Sequence, residues 1–381
     1  MLKISLLPEV KLKTLNRKML NIKYNAKDEY LQINQFWLRD HCRCNKCYNE
    51  TTKQRRYNLL DIPKDVKADD VTYLNEGKLL KVTCSDGHVS QYDMDFIYLN
   101  NKLSNHFHAT KTKWNLPIIL QNERHLRFKL TDLVGKESCV KDLVTSLIRY
   151  GLVFIDEVPA NTTMTEMAIR RVFPVMKTFF GEMYTFSDAP DHADTAYTKE
   201  YIGSHTDNTY FCDAAGLQAL HCLEHVNGTG GENFFVDGLH CALELKRRNP
   251  KAFEMLTKVH VPAEYIEDGQ HHTHSAPIIR LDPNTQEIIQ LRLNVYDRAV
   301  FNTLPQHEMS EFYESFRQFL EIVQSKENQW RLKLEPGTIV IFDNWRVYHG
   351  RHAYTGHRTM TGCYVQRTDY MSKARVLGII D

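Results

Sequence analysis

His205-Thr206-Asp207 is the stretch from which the rest of the chain is read, together with His349 nearer the C-terminal end. Side chains alternate across a β-strand, so on a strand His205 and Asp207 project to one side and Thr206 to the other. Two histidines and a carboxylate on one face of a metal form the facial triad of non-haem Fe(II) oxygenases, with three coordination positions left for cosubstrate and O2. Alone, H-x-D occurs by chance and usually marks a solvated loop or a hydrogen-bonded pair. Its weight comes from the residues around and after it.

Working outward, 197–236 reads as short strands with glycine turns: the triad strand, 216–223, Gly228-Thr229-Gly230-Gly231, and Phe234-Phe235-Val236. Further on, 310–323 has an aromatic stripe at helical spacing, read as packing against a sheet. Pro336-Gly337 then turns into a strand over 338–342, His349 follows, and 358–365 closes the set. Upstream, Val140, Leu143, Val144, Leu147 and Ile148 predict a helix over 137–150 stopped by Gly151, then a buried strand over 152–155. A second helix is expected over 164–180 with a kink at Pro174. Many short strands with Gly/Pro turns and helices outside predict an α+β, mainly β fold, a double-stranded β-helix or jelly roll.

On the last strand Arg358, Met360, Gly362 and Tyr364 share a face. An arginine inside such a barrel needs an anionic partner, and a guanidinium fork suits a carboxylate. The distal carboxylate of 2-oxoglutarate fits, with the keto acid end on iron and Thr229 adding a hydroxyl. Oxidative decarboxylation would give succinate, CO2 and an oxidant able to take hydrogen from an unactivated C–H. The alternatives are a surface cation for Arg358 and an ordinary turn residue for Thr229.

With 381 residues the chain exceeds what one core usually fills, so a catalytic domain over 111–381 and a small β module over 1–110 are expected. A net charge of +1 gives no reason to expect a nucleic-acid partner, and no apolar run is long enough for a membrane span. Nine cysteines without a secretory signal point to reduced thiols and metal ligands, hence a cytoplasmic location. The six Lys/Arg and single acid of residues 1–24 leave the mitochondrial matrix as the alternative. In the module, Cys42, Cys44 and Cys47 crowd three thiols into a polar loop, a pattern that suits structural Zn2+ and lacks one ligand. His88 is the first candidate for the fourth, with His41 and Cys84 as rivals. Two further groups look like decoys: His271, His272 and His274 as a solvated loop, and His221 as a hydrogen-bonded core histidine.

FWLRDHC, ADTAYTK, SHTDNTYF, HCLEHVNGTGGENFFVDG, EYIEDG, NVYDRAVFNTLP, FDNWRVYHGR and GCYV follow one another along nearly the whole chain. In these motifs it resembles the carnitine-biosynthesis dioxygenases, the family of butyrobetaine and trimethyllysine dioxygenases. The resemblance implies iron on His205, Asp207 and His349, 2-oxoglutarate on Arg358 and Thr229, zinc on Cys42, Cys44, Cys47 and His88, ascorbate as reductant, and a homodimer. It also implies a trimethylammonium box of Phe180, Tyr184 and Tyr197, where aromatic faces attract a cation. Asp194, where butyrobetaine enzymes have Asn, implies an anion for an α-ammonium, and Asn294 and Tyr364 are candidates for the amino-acid end. The expected activity is hydroxylation of N6,N6,N6-trimethyl-L-lysine at C3, the first step of carnitine biosynthesis. The alternatives are butyrobetaine hydroxylation and a non-catalytic methyl-lysine-binding module.

Overall fold

The structure is a computed structural model that describes residues 18–101, 111–187, 195–267 and 269–380. It divides into two compact units, Met1–Asn105 and His106–Asp381.

In the N-terminal unit, antiparallel strands Met19–Tyr24 and Glu29–Asn34 form a hairpin, and Ala68–Leu74, Leu79–Cys84 and Val89–Asp93 form a three-stranded sheet. Alternation makes the core: Leu20, Ile22, Leu31, Ile33, Leu80 and Val82 are buried together with Leu38 and Ile97 from two short helices.

The larger unit is built on two sheets. One carries six strands in the order Met183–Phe186, His357–Val365, Leu217–Val226, Ile339–Asp343, Leu152–Asp156 and Arg127–Lys129. Its pairings are antiparallel except the last. The other carries Ile202–His205, Val347–Arg351, Asn233–Asp237 and Trp330–Leu332, all antiparallel. Phe154, Leu220, Phe342 and Met360 of the first sheet pack with Phe235, Val347 and Trp330 of the second. Period-two alternation sends the neighbours of these residues outward: Val236 and Tyr348 pack under helices Gly238–Arg248, Pro250–Lys258 and Met309–Val323. The outer face of the six-stranded sheet is covered by Glu137–Tyr150, Thr162–Arg170 and Arg367–Val376. This two-sheet arrangement with helices outside is the predicted jelly roll.

Several expectations are corrected. The second helix ends at Arg170 instead of kinking at Pro174, since proline lacks the N–H that a continuing turn needs. The chain instead turns toward the sheet, where Met176 bridges Tyr364. Pro117 lies in the first turn of helix Leu116–Asn122, where a missing N–H costs nothing. The stripe of Met309–Val323 runs through Phe312, Phe316, Phe319 and Val323, whereas Tyr313 is exposed. His271, His272 and His274 lie on a strand, Gln270–Pro277, paired with His260–Glu267. In contrast, Glu137–Tyr150 has the predicted bounds and its glycine stop, Gly151 at φ +83°.

Candidate active site

Antiparallel register makes the first two ligands neighbours. His205, the last residue of Ile202–His205, stands opposite His349 of Val347–Arg351, with ring centroids 4.1 Å apart. Asp207 lies beyond the strand end, not on it as expected, because Thr206 breaks away to exchange hydrogen bonds with the backbone of Leu293. Asn344 holds the departing segment: its Oδ1 accepts from Asp207 N at 2.8 Å and its Nδ2 donates to the Asp207 and Ala215 carbonyls. Asp207 Oδ1 thereby lies 3.2 Å from His205 Nε2 and 3.5 Å from His349 Nε2.

These separations suit three cis ligands, since donors about 2.1 Å from one ion and at right angles are about 3 Å apart. The protonation states suit it too. His205 Nδ1 lies 2.8 Å from the Gly203 carbonyl, which leaves Nε2 as the nitrogen facing the other ligands, where the Asp207 carboxylate pushes this imidazole upward against burial and would equally attract a metal cation. Burial, with His205 beside it, pushes His349 down to about 3, so that this ring is neutral. Burial would raise the Asp207 carboxyl, but the two imidazoles and the Tyr364 hydroxyl outweigh it and hold the group ionised. The donor set therefore fits a divalent ion.

A cleft of about 920 Å³, open to solvent, surrounds these three residues. Phe180, Tyr184, Tyr197, Asn294, Arg358 and Tyr364 all line it, as do Phe186, Tyr210, Tyr296 and Asp297. Arg358 is 3% exposed and donates to Asn233 Oδ1 at 2.9 Å. Burial disfavours its charge, which an anion alongside would restore. Thr229 is corrected: it is exposed, pairs with Thr355, and is absent from the cleft wall. The polar group that accompanies Arg358 is Asn233, four residues on, where the strand has entered the barrel. Asp194 lies outside the described residues.

The model of the taurine catabolism dioxygenase TauD, TfdA family matches residues 115–364. The chain belongs to the TauD, TfdA dioxygenase family. A second model, gamma-butyrobetaine hydroxylase-like, N-terminal, matches residues 11–98 of this dioxygenase. It is 35% identical to the mitochondrial trimethyllysine dioxygenase of Rattus norvegicus, over 95% of this chain and 89% of the relative. It is 33% identical to trimethyllysine dioxygenase of Meyerozyma guilliermondii, over 91% of each. A Burkholderia xenovorans structure described as an alpha-ketoglutarate-dependent taurine dioxygenase shares the fold, with a TM-score of 0.50 and 15% identity over 68% of this chain and 91% of that one.

The N-terminal unit of the dioxygenase carries a second cluster. Cys42, Cys44 and Cys47 Sγ lie 3.3, 3.6 and 3.5 Å from His88 Nε2. Sulfur and nitrogen donors on one tetrahedral Zn2+ are about 3.5 Å apart. Burial and the neighbouring thiols push Cys47 upward, so three thiolates need a cation among them. Of the rivals for the fourth ligand, His41 stacks on Trp37 with Nδ1 2.8 Å from the Trp37 carbonyl, and neither it nor Cys84 belongs to the cluster.

Two candidates for the amino-acid end are committed elsewhere. The Tyr364 hydroxyl donates to Asp207 Oδ2, and the Asn294 carboxamide binds Asp297 and its own turn. Asn344, Asn233, Asn208 and Asp297 were missed as site residues. All lie inside the quoted motifs, but no spacing marks an asparagine as pointing inward. His221 is a core histidine, fully buried, with Nδ1 2.8 Å from Thr165 Oγ1 and Nε2 accepting from Gly337 N. Among the described residues no helix is long and apolar enough to cross a membrane.

Proposed function

We propose that this dioxygenase hydroxylates N6,N6,N6-trimethyl-L-lysine at C3, giving 3-hydroxy-N6,N6,N6-trimethyl-L-lysine on the way to carnitine. The observation that carries the reading is the 35% identity to a trimethyllysine dioxygenase over 95% of the chain, combined with a cleft holding the three-ligand set and an aromatic wall.

His205, Asp207 and His349 would hold Fe(II), and Arg358 with Asn233 would take the distal carboxylate of 2-oxoglutarate. When bound, iron and 2-oxoglutarate activate O2 for removal of hydrogen from an unactivated carbon, and ascorbate keeps the iron reduced. The chain's own residues do the rest. Arg358 is held by Asn233 at a fixed depth in the barrel, which orients the cosubstrate along the cleft. Phe180 and Tyr184, with ring centroids 6.4 Å apart, and Phe186 and Tyr197, 6.0 Å apart, offer π faces to a trimethylammonium. Leu220 and Met360 close the inner wall with apolar surface, limiting water beside the reacting carbon. In the N-terminal unit Cys42, Cys44, Cys47 and His88 would hold structural zinc.

The mitochondrial name of the rat relative supports the matrix as location. The family resemblance supports a homodimer, testable by sedimentation of the purified protein. The catalytic test is succinate release with trimethyllysine and with butyrobetaine as separate substrates. Turnover of trimethyllysine well above butyrobetaine is expected; butyrobetaine turnover without trimethyllysine turnover overturns the assignment.

A further inference from the structure

Arg292 is buried outside the cleft wall, and its side-chain hydrogen bonds all go to backbone carbonyls. Nε donates to Thr209 at 2.9 Å, and Nη2 donates to Thr209 as well and to His274 at 3.0 Å. Nη1 donates to Val261 and to Ala276, each at 3.0 Å. Burial lowers the group to about 10, and the Asp297 carboxylate offsets that only in part. Burying a cation is costly, so a guanidinium kept at such a place must hold something that a smaller or neutral side chain could not. A planar fork of five donors can span several segments at once, and here it does.

The first segment carries the metal ligand. Leu293 exchanges hydrogen bonds with Thr206 and Arg292 takes the carbonyl of Thr209, so two consecutive residues grip the chain on either side of Asp207-Asn208. The other two segments are the paired strands His260–Glu267 and Gln270–Pro277, where Val261 stands opposite Ala276. These strands back the aromatic side of the cleft. Tyr265 packs on Tyr210 and Phe180, with ring centroids 4.9 and 5.9 Å away, and its cross-strand neighbour His272 stacks on Phe179 at 4.9 Å. Phe180 and Tyr210 line the cleft, whereas Tyr265 and His272 stand behind them. One buried side chain therefore joins the metal-ligand segment to the support of the aromatic wall.

We propose that Arg292 is a positioning residue for the hydroxylation: it touches neither metal nor substrate, and through the Thr209 carbonyl and the two paired strands it sets the distance between Asp207 and the aromatic wall. The inference rests on the trimethyllysine reading and deepens it. A substrate held by its trimethylammonium at the wall presents one particular C–H to the metal only while that distance is fixed, and small misplacements of a reacting atom cost far more rate than binding. Asp207 itself keeps its hold from Asn344, and Arg358 its hold from Asn233, so metal and cosubstrate do not depend on this fork. Its loss falls on the amine and on where its carbon sits.

The test uses iron-loaded full-length enzyme with trimethyllysine, and measures both succinate and hydroxylated product. Arg292→Lys keeps the charge but not the fork, and should raise the trimethyllysine KM by about fivefold to thirtyfold, the worth of one aromatic face to a desolvated cation. Hydroxylated product per succinate should fall by about half or more, because the cosubstrate is still consumed while the carbon is misplaced. Binding of 2-oxoglutarate to manganese-loaded protein should stay at the wild-type value. Tyr265→Leu, which removes only the backing of the wall, should move KM and the product ratio in the same direction and less. A merely structural role would lower the active fraction, and so kcat, at unchanged KM and ratio; that result overturns the proposal, as does an equal loss of 2-oxoglutarate affinity. Should Arg292→Lys fail to fold, unchanged KM and ratio in Tyr265→Leu overturn it instead. Wild-type turnover of butyrobetaine without trimethyllysine sinks the substrate assignment alone, and the same comparisons are then made with butyrobetaine; turnover of neither sinks both.

Discussion

The Tyr364 hydroxyl donates to Asp207 Oδ2 at 2.7 Å, while Asp207 Oδ1 faces both His205 and His349. One carboxylate oxygen is thereby tied to the protein and the other left for a metal. Tyr364→Phe removes the tie without changing the packing, so Fe(II) affinity should fall by about 10- to 100-fold, the usual effect of deleting such a partner. Anaerobic metal titration checks this, and undiminished affinity would deny Tyr364 the role.

Arg358 reaches the cleft from the His357–Val365 strand and is fixed by Asn233. Arg358→Ala should raise the 2-oxoglutarate KM by about tenfold to a hundredfold, as loss of a charged hydrogen-bonded partner does, with a small change in the amine KM. Asn233→Ala should act in the same direction and more weakly. Equal effects of Arg358→Ala on both substrates would count against the assignment.

The cluster of Cys42, Cys44, Cys47 and His88 predicts about one zinc per chain that survives mild chelation after iron is stripped. Cys44→Ser should lower that zinc content and destabilise the N-terminal unit, because metal ligation contributes directly to the folding of small modules. Elemental analysis with and without chelator measures it. Full zinc in the Cys44→Ser protein would remove Cys44 from the ligand set.

Burial lowers His221 to about 4 from its ordinary value of about 6.5. Between these values the unfolded chain binds a proton that the folded one does not, so stability is complete above about pH 6.5 and lost as pH falls toward 4. The loss attributable to this group is up to roughly 3 kcal/mol. His221→Gln should flatten the pH dependence of denaturant unfolding across that window. An unchanged slope would show that His221 is not the group responsible.

Where local pattern and tertiary demand agreed, the prediction matched the structure. Glu137–Tyr150 presents one apolar face and ends at a glycine in the left-handed region, both features encoded within a few residues. The strand bearing Arg358, Met360 and Tyr364 turned those three into the cleft because alternation is a local rule. Thr229 failed for the opposite reason. A glycine turn suggests a hydroxyl near a ligand, but whether a turn faces the barrel mouth or solvent depends on what packs beneath it, and Thr355 takes that place. Asp207 likewise fell past its strand because Leu293, 87 residues from Thr206, draws that residue's backbone and hydroxyl away.

The sequence by itself determined which chemistry the chain could carry: two imidazoles and a carboxylate for iron, three thiols that need a fourth ligand for zinc, and a guanidinium on an inward strand face. These follow from residue type and from periodicities of two and 3.6, which the backbone enforces locally. Only the tertiary structure decided how those groups are held and what they leave open. The register of His205 against His349, the hold of Asn344 on Asp207 and the pairing of Arg358 with Asn233 all join residues from separate strands and loops. Such contacts arise from two sheets closing over one cleft, and no local period in the chain encodes them.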